Sequence, residues 1–176
     1  MRGVWQVAAL VLLSLPQAAG AQVIAKATLS PGIVERTSAP EIDLPTLAGG
    51  RAKLSKLRGH PVVITFWGTW CPPCRDEFPA LVTAYQKYRD AGLEVIAVNQ
   101  RDQEINTRDV EDFVKRYSVE FTVALDSRGR SRRDFRLVAL PTTVFVDAQG
   151  IMQTIHSGPL SAPQLAAGLA TIIPAR

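Results

Sequence analysis

The chain contains two cysteines, and they stand three residues apart as Cys71-Pro72-Pro73-Cys74. Thiols at that spacing can close a disulfide within one helical turn and reopen it, so the chemistry they offer is disulfide exchange. A thiolate, not a thiol, attacks a disulfide. A cysteine at the start of a helix meets unpaired backbone N–H groups and the positive end of the macrodipole. Such placement lowers a thiol pKa from about 8.5 into a range of roughly 3.5 to 7.5. Cys71 then attacks a partner disulfide, and Cys74, one turn on, displaces the product and closes the 71–74 bridge. The reverse sequence oxidises a dithiol. Pro72 and Pro73 restrict the backbone between the sulfurs and remove two N–H donors.

Other uses of the same residues compete with this one. A purely structural disulfide closing so short a loop restrains the unfolded chain by only about 2 kcal/mol. A zinc site needs two further ligands, and the only histidines, His60 and His156, are not paired at finger spacing. Copper can use two thiolates with a distant imidazole, which keeps a copper carrier built on Cys71, Cys74 and His156 open. A peroxidatic cysteine carries Thr or Ser three residues upstream, where Cys71 has Gly68 and Cys74 has Cys71. The expectation is a redox disulfide with no cofactor and no bound metal.

The elements that must position the pair follow from the patterns around it. Residues 61–67, Pro-Val-Val-Ile-Thr-Phe-Trp, read as a strand buried on both faces. From Pro73 to Asp90 the apolar residues Phe78, Leu81, Val82, Tyr85 and Tyr88 recur at three and four, with Ala91-Gly92 as a stop. The pair thus sits where a central strand passes into an amphipathic helix. Residues 93–99, 121–125, 142–146 and 151–155 read as further strands. Residues 107–117 and 163–173 read as helices, and residues 42–44 and 51–54 as a short hairpin around Ala48-Gly49-Gly50. Strands alternating with helices, then a terminal hairpin and helix, predict an α/β three-layer domain with a mixed central sheet. No internal repeat is present.

The N-terminus carries a different signal. Met1-Arg2, an apolar run from Val4 to Leu15 and the small residues Ala18-Ala19-Gly20-Ala21 have the three parts of a secretory leader, with cleavage expected before Gln22. The apolar run falls short of the ~20 residues of a spanning helix, so a cleaved leader is preferred to a membrane anchor. The expected organisation is a signal peptide at 1–21, a flexible lead-in at 22–38 and a single domain at 39–176. Outside the cytosol disulfides form and persist, so a working thiol pair there needs a supply of electrons or oxidant. The net charge is +4, from 20 Lys and Arg against 16 Asp and Glu. Acids interleave with the bases almost throughout, which argues against a nucleic-acid partner. The exception is Arg128, Arg130, Arg132, Arg133 and Arg136, read as a solvated helix face or as a docking patch.

The run Phe66-Trp67-Gly68-Thr69-Trp70-Cys71-Pro72-Pro73-Cys74-Arg75-Asp76-Glu77-Phe78-Pro79 closely resembles the TlpA/ResA branch of thioredoxin-like proteins. The likeness continues through Val95-Ile96-Ala97-Val98-Asn99, Leu140-Pro141-Thr142-Thr143 and Val146-Asp147-Ala148-Gln149-Gly150, covering about residues 39–174. It implies a thioredoxin-like fold with an N-terminal hairpin and a strand-helix element inserted between Asn99 and Phe121. It implies extracytoplasmic disulfide reduction, with a membrane thiol reductant as donor and clients such as apocytochrome c cysteines, in cytochrome c maturation, or copper-site thiols. An oxidase or isomerase using the same residues is the rival. The resemblance makes Pro141 a cis proline beside the cysteines, with Leu140 offering backbone hydrogen bonds and Trp70, Pro72 and Pro73 forming the rest of the client-binding surface. Ordinary thioredoxins carry a buried Asp six residues before the first cysteine; here that position is Thr65. The branch instead places a glutamate three residues after the second cysteine, which is Glu77, and a carboxyl one turn from Cys74 could take and return its proton.

Overall fold

A computed structural model describes residues 36–173. The expected leader and residues 22–35 of the expected lead-in lie outside the described residues.

The core is organised by β3 (Val62–Trp67), all six of whose residues are buried. Its β-branched and aromatic side chains suit a strand covered on both faces. It pairs in parallel with β4 (Glu94–Asn99) on one side and antiparallel with β6 (Thr142–Val146) on the other, so Ile64 faces Ile96 and Val144 across the two ladders. β5 (Thr122–Leu125) extends the parallel side and β7 (Met152–Ser157) the antiparallel side, giving the mixed order β5-β4-β3-β6-β7. A separate hairpin, β1 (Asp43–Pro45) with β2 (Arg51–Lys53), precedes the sheet in the chain.

Alternation along the strands sends two sets of apolar side chains to opposite faces. One face gathers Val63, Trp67, Val95, Ala97 and Phe145 beneath α1 (Pro72–Tyr88), α2 (Thr107–Arg116) and α4 (Ala162–Ile172). Phe78, Leu81 and Ala84 of α1 meet Val110 and Phe113 of α2 there. Trp67 of β3 joins α1 and α2, with ring centroids 4.7 Å from Phe78 and 4.4 Å from Phe113. The other face holds Val62, Ile64, Phe66, Ile96 and Val98. It is covered by Ala39, Ile42, Ala52, Leu54 and Phe135, residues of the N-terminal arm, the hairpin, a 3-10 turn at Leu54–Leu57 and the C-cap of the short α3 (Arg130–Asp134). The third layer is therefore irregular rather than helical.

Several boundaries differ from the sequence reading by one to three residues. α1 includes Pro72, which needs no N–H partner in a first turn, and it gives way at Arg89 to a 3-10 turn closed by Gly92 at φ 88°. The expected strand at 151–155 runs to Ser157 because Ser157 still pairs with Thr142. Between Asn99 and Phe121 the chain forms a 3-10 turn and α2 but no strand; the strand of the inserted unit is β5, which follows it. Thr37 and Ser38 are already tied to the sheet: the Met152 N–H donates to the Thr37 carbonyl at 2.9 Å, and Ser38 bridges Ile151. Among the described residues no helix is long and apolar enough to cross a membrane.

Candidate functional site

The parallel strands β3, β4 and β5 point their carboxyl ends to one side of the molecule, the usual location of sites in α/β sheets. Cys71 lies just beyond the end of β3 and serves as the N-cap of α1, with an extended backbone at φ −93° and ψ 105°. Cys71 and Cys74 form a disulfide, and both are buried. Pro72 and Pro73 occupy the first two helical positions, so neither offers an N–H. The first amide that can reach the sulfur is that of Cys74, which donates to Cys71 Sγ at 3.3 Å. Among the described residues it is the one hydrogen bond to that sulfur.

Glu77, one turn beyond Cys74, is 2% exposed. Burial raises its pKa above the ordinary carboxyl value, opposed by two hydrogen bonds that favour the charged form. Thr143 Oγ1 of β6 donates to Oε1 at 2.8 Å, and the Leu160 N–H, just ahead of α4, donates to Oε2 at 3.2 Å. Thr143 Oγ1 also lies 3.2 Å from Thr65 Oγ1. Thr65, at the position where ordinary thioredoxins carry an aspartate, is thus the far end of a chain of hydroxyls leading to Glu77. Reversing the hydroxyls inverts each donor and acceptor, so the chain fits Glu77 with or without its proton. No cation pairs with this carboxyl among the described residues.

A groove of about 360 Å³ opens beside the disulfide, lined by residues 70–73, by residues 137–140 and by Gln103 and Arg132. Trp70 is 49% exposed and Val138 86% exposed, so the rim is apolar. The Leu140–Pro141 peptide is cis, and Pro141 is buried. Its carbonyl accepts from the Gly158 N–H at 2.8 Å, whereas the N–H and carbonyl of Leu140 have no hydrogen-bond partner among the described residues. Gly68 has a steric reason: a Cβ there would fall 2.7 Å from the Trp70 indole nitrogen. The Thr or Ser of a peroxidatic site would have to push that indole aside.

Comparison with known proteins fits this geometry. Residues 36–155 match the AhpC/TSA family. The chain is 35% identical to the thioredoxin-like protein YneN of Bacillus subtilis over 76% of its own length and 78% of the relative's. It is also 35% identical to the thiol-disulfide oxidoreductase ResA of Bacillus subtilis, over 73% and 70%. The chain belongs to the AhpC/TSA family, in its ResA-like thioredoxin-fold branch. It is a thiol-disulfide oxidoreductase. Among solved structures, a thiol:disulfide interchange protein DsbE from Chlorobium tepidum superposes with a TM-score of 0.73 at 31% identity, covering 81% of this chain and 99% of that one. StoA from Bacillus subtilis superposes with a TM-score of 0.65 at 27% identity, over 74% and 97%.

The remaining candidates of this ResA-like oxidoreductase disperse. His156 lies on β7 with its Nε2 3.2 Å from the Pro159 carbonyl, and His60 precedes β3, at the end of the sheet away from Cys71. Among the described residues no three His, Cys, Asp or Glu side chains gather as a metal site. The arginine cluster splits as well. Arg132 faces the groove and pairs with Asp102 at 2.6 Å, Arg133 turns back to the carbonyls of Arg128 and Gly129, and Arg130 faces the hairpin side. What holds this segment is Asp126. Burial pushes its pKa up, but hydrogen bonds from the Ser131 hydroxyl and from the N–H groups of Ser131, Arg128 and Arg130 outweigh that and hold it below the ordinary value.

Sequence reasoning missed Thr143 and Leu160 as partners of Glu77, and the hydrogen bonds that Glu104 accepts from Thr69. For Thr143 a signal existed: it faces Thr65 across the β3–β6 ladder, and two buried threonines side by side point to a polar purpose. Glu104 was legible as one residue of the polar stretch 100–104, a loop after a strand end where partner choice is shaped, but nothing local pointed to Thr69.

Proposed function

We propose that the protein works outside the cytoplasm as a protein-disulfide reductase, with Cys71 as nucleophile, Cys74 as resolving thiol and Glu77 as the acid/base. The client's cysteine segment lies in the groove between Trp70, Pro72 and Pro73 on one side and Leu140 on the other, with Pro141 shaping its floor and the free backbone groups of Leu140 holding it. The Cys71 thiolate attacks a client sulfur, forming a mixed disulfide and releasing the other client sulfur as a thiolate. Glu77 takes the Cys74 proton. The Cys74 thiolate then attacks Cys71 Sγ, which closes the 71–74 disulfide and expels the second client thiolate. The two client thiolates gain two protons, one of them returned by Glu77.

The observation that carries the reductive direction is the single N–H at Cys71 Sγ. Strong oxidants of this kind are strong because their reduced thiolate is highly stabilised. With Pro72 and Pro73 removing two helix-terminal donors, the Cys71 thiolate has less of that help, and the pair gives up its electrons more readily. The basic, apolar and small-residue order of residues 1–21 supports export. An exported pair is regenerated by a membrane thiol donor, and cytochrome c cysteines and copper-site thiols are the clients to try first. The test is the reduction potential of the pair together with trapping by Cys74→Ser in the native compartment. A potential near −270 mV and trapped mixed disulfides are expected; a value near −120 mV would instead make the protein an oxidase.

A further inference from the structure

Glu104 is a buried acid that the exchange chemistry above does not use. It stands at the end of a 3-10 turn in the loop after β4, in the inserted segment, and its side chain accepts three hydrogen bonds. Oε1 accepts from the Thr69 N–H at 2.7 Å and from Asn99 Nδ2 at 2.7 Å, and Oε2 accepts from the Thr69 hydroxyl at 2.5 Å. Two of the three donors therefore belong to one residue, two positions before Cys71. The backbone of Glu104 is fixed too, since its carbonyl accepts from Arg101 Nη1 at 3.2 Å. A buried carboxyl group so placed must have its acceptors filled to persist, and Thr69 and Asn99 together fill them.

We infer that Glu104 is a positioning residue: it clamps the inserted segment to the Thr69-Trp70 loop and so fixes Trp70 and Cys71 relative to the client groove. Gln103, its neighbour, lines that groove, as does Arg132, which pairs with Asp102 two residues before Glu104. The clamp thus joins both the wall that meets the client and the loop that carries the nucleophile. Loosening it displaces the attack geometry for a bulky, docked client. A small disulfide that needs no docking still reaches Cys71. This inference rests on the reductase reading of the same site.

The experiment compares the reduced protein's rate constants toward two probes, insulin as a protein disulfide and dithionitrobenzoate as a small one. Glu104→Ala is expected to lower kcat/KM for insulin about tenfold, since small misplacements of reacting atoms cost factors of that order or more, and to leave the small-disulfide rate within about twofold of wild type. Glu104→Gln keeps an acceptor for Thr69 and recovers most of the insulin rate. Equal losses on both probes, or no loss on either, would overturn the inference. If Glu104→Ala does not fold, Thr69→Val removes the hydroxyl alone and is held to the same comparison. Amide exchange at Thr69 reads the clamp directly: it accelerates at least about tenfold in Glu104→Ala if the hydrogen bond is lost as described, and an unchanged rate overturns the inference. A wild-type protein that does not reduce insulin counts against the reductase reading, while the exchange rate still decides the clamp.

Discussion

Thr143 on β6 donates a 2.8 Å hydrogen bond to Glu77 on α1, and it does so from the position in the sheet directly opposite Thr65. The acid is therefore presented from the helix and seated by the strand beneath it. An isolated carboxyl buried without a cation costs several kcal/mol to ionise, and the two hydrogen bonds offset part of that. The balance leaves Glu77 able to change its protonation nearer neutral pH than a solvated glutamate, which suits a group that exchanges a proton with a thiol.

Glu77→Gln should slow closure of the 71–74 bridge by about a hundredfold, the order that general acid–base groups contribute. Glutamine can keep both contacts, accepting from Leu160 and donating to Thr143, so its fold should survive. Single-turnover decay of the mixed disulfide, followed against pH, is the measurement. Wild type should show a limb rising with ionisation of a raised carboxyl, and the variant should lack it.

The same residue sets a pH dependence of stability. The unfolded chain ionises Glu77 first, near 4.5, and the folded chain only at higher pH. Between the two the folded state holds more protons, so stability falls as pH rises through that window. Asp126 has the opposite sign: its folded pKa lies below 3.8, and its contribution is present above that value and lost as pH falls through the folded one. Asp126→Asn should cost about 2 kcal/mol at neutral pH by leaving buried N–H groups facing an amide. It should also flatten the acid limb of a urea-unfolding series. A variant with an unchanged acid limb would show that Asp126 does not hold the 126–131 turn.

Gly168→Ala tests the packing of α4. Alanine favours a helix interior over glycine by about 1 kcal/mol. Here a Cβ would sit 2.3 Å from Cζ of Phe145, a ring with no exposure. Overpacking of a buried contact costs about 1–3 kcal/mol, so the clash should win. The expected result is a melting temperature lower by several degrees, and a rise would show that Phe145 yields more easily than its burial suggests.

How much of this was legible in the sequence depended on distance along the chain. Cys71, Cys74 and Glu77 lie on one stretch of strand and helix, where spacing alone decides who is neighbour to whom. The partners that complete the site come from far away: Glu104 is 35 residues from Thr69, Thr143 is 66 from Glu77, and Leu160 is 83 from it. No local period records such meetings, because they arise from the order in which strands are laid into the sheet. β3, β4 and β6 were readable because burial on both faces demands runs of apolar and β-branched residues. The 3-10 turn at 101–103 was not, since polar residues there satisfy one another and the backbone, and α3 was legible only as a polar helix face within 128–136, with no apolar stripe to set its bounds.

The N-terminal arm has a consequence beyond the site. Ser38 bridges Ile151, immediately before β7 at one edge of the sheet, and Thr46 bridges Ala124 of β5 at the other. Eight extended residues reach about 26 Å, more than the roughly 19 Å of four strand spacings that separates β7 from β5. A single short strap thus blocks part of both open edges, the places where sheets recruit strands from other molecules. Because one of its anchors waits for Ile151, more than a hundred residues downstream, the safeguard closes only when nearly all of the domain is available to fold. A chain interrupted after β6 but before that point can still seat Thr46 on Ala124, yet it lacks β7 and leaves β6 as an open edge, where self-association competes with folding.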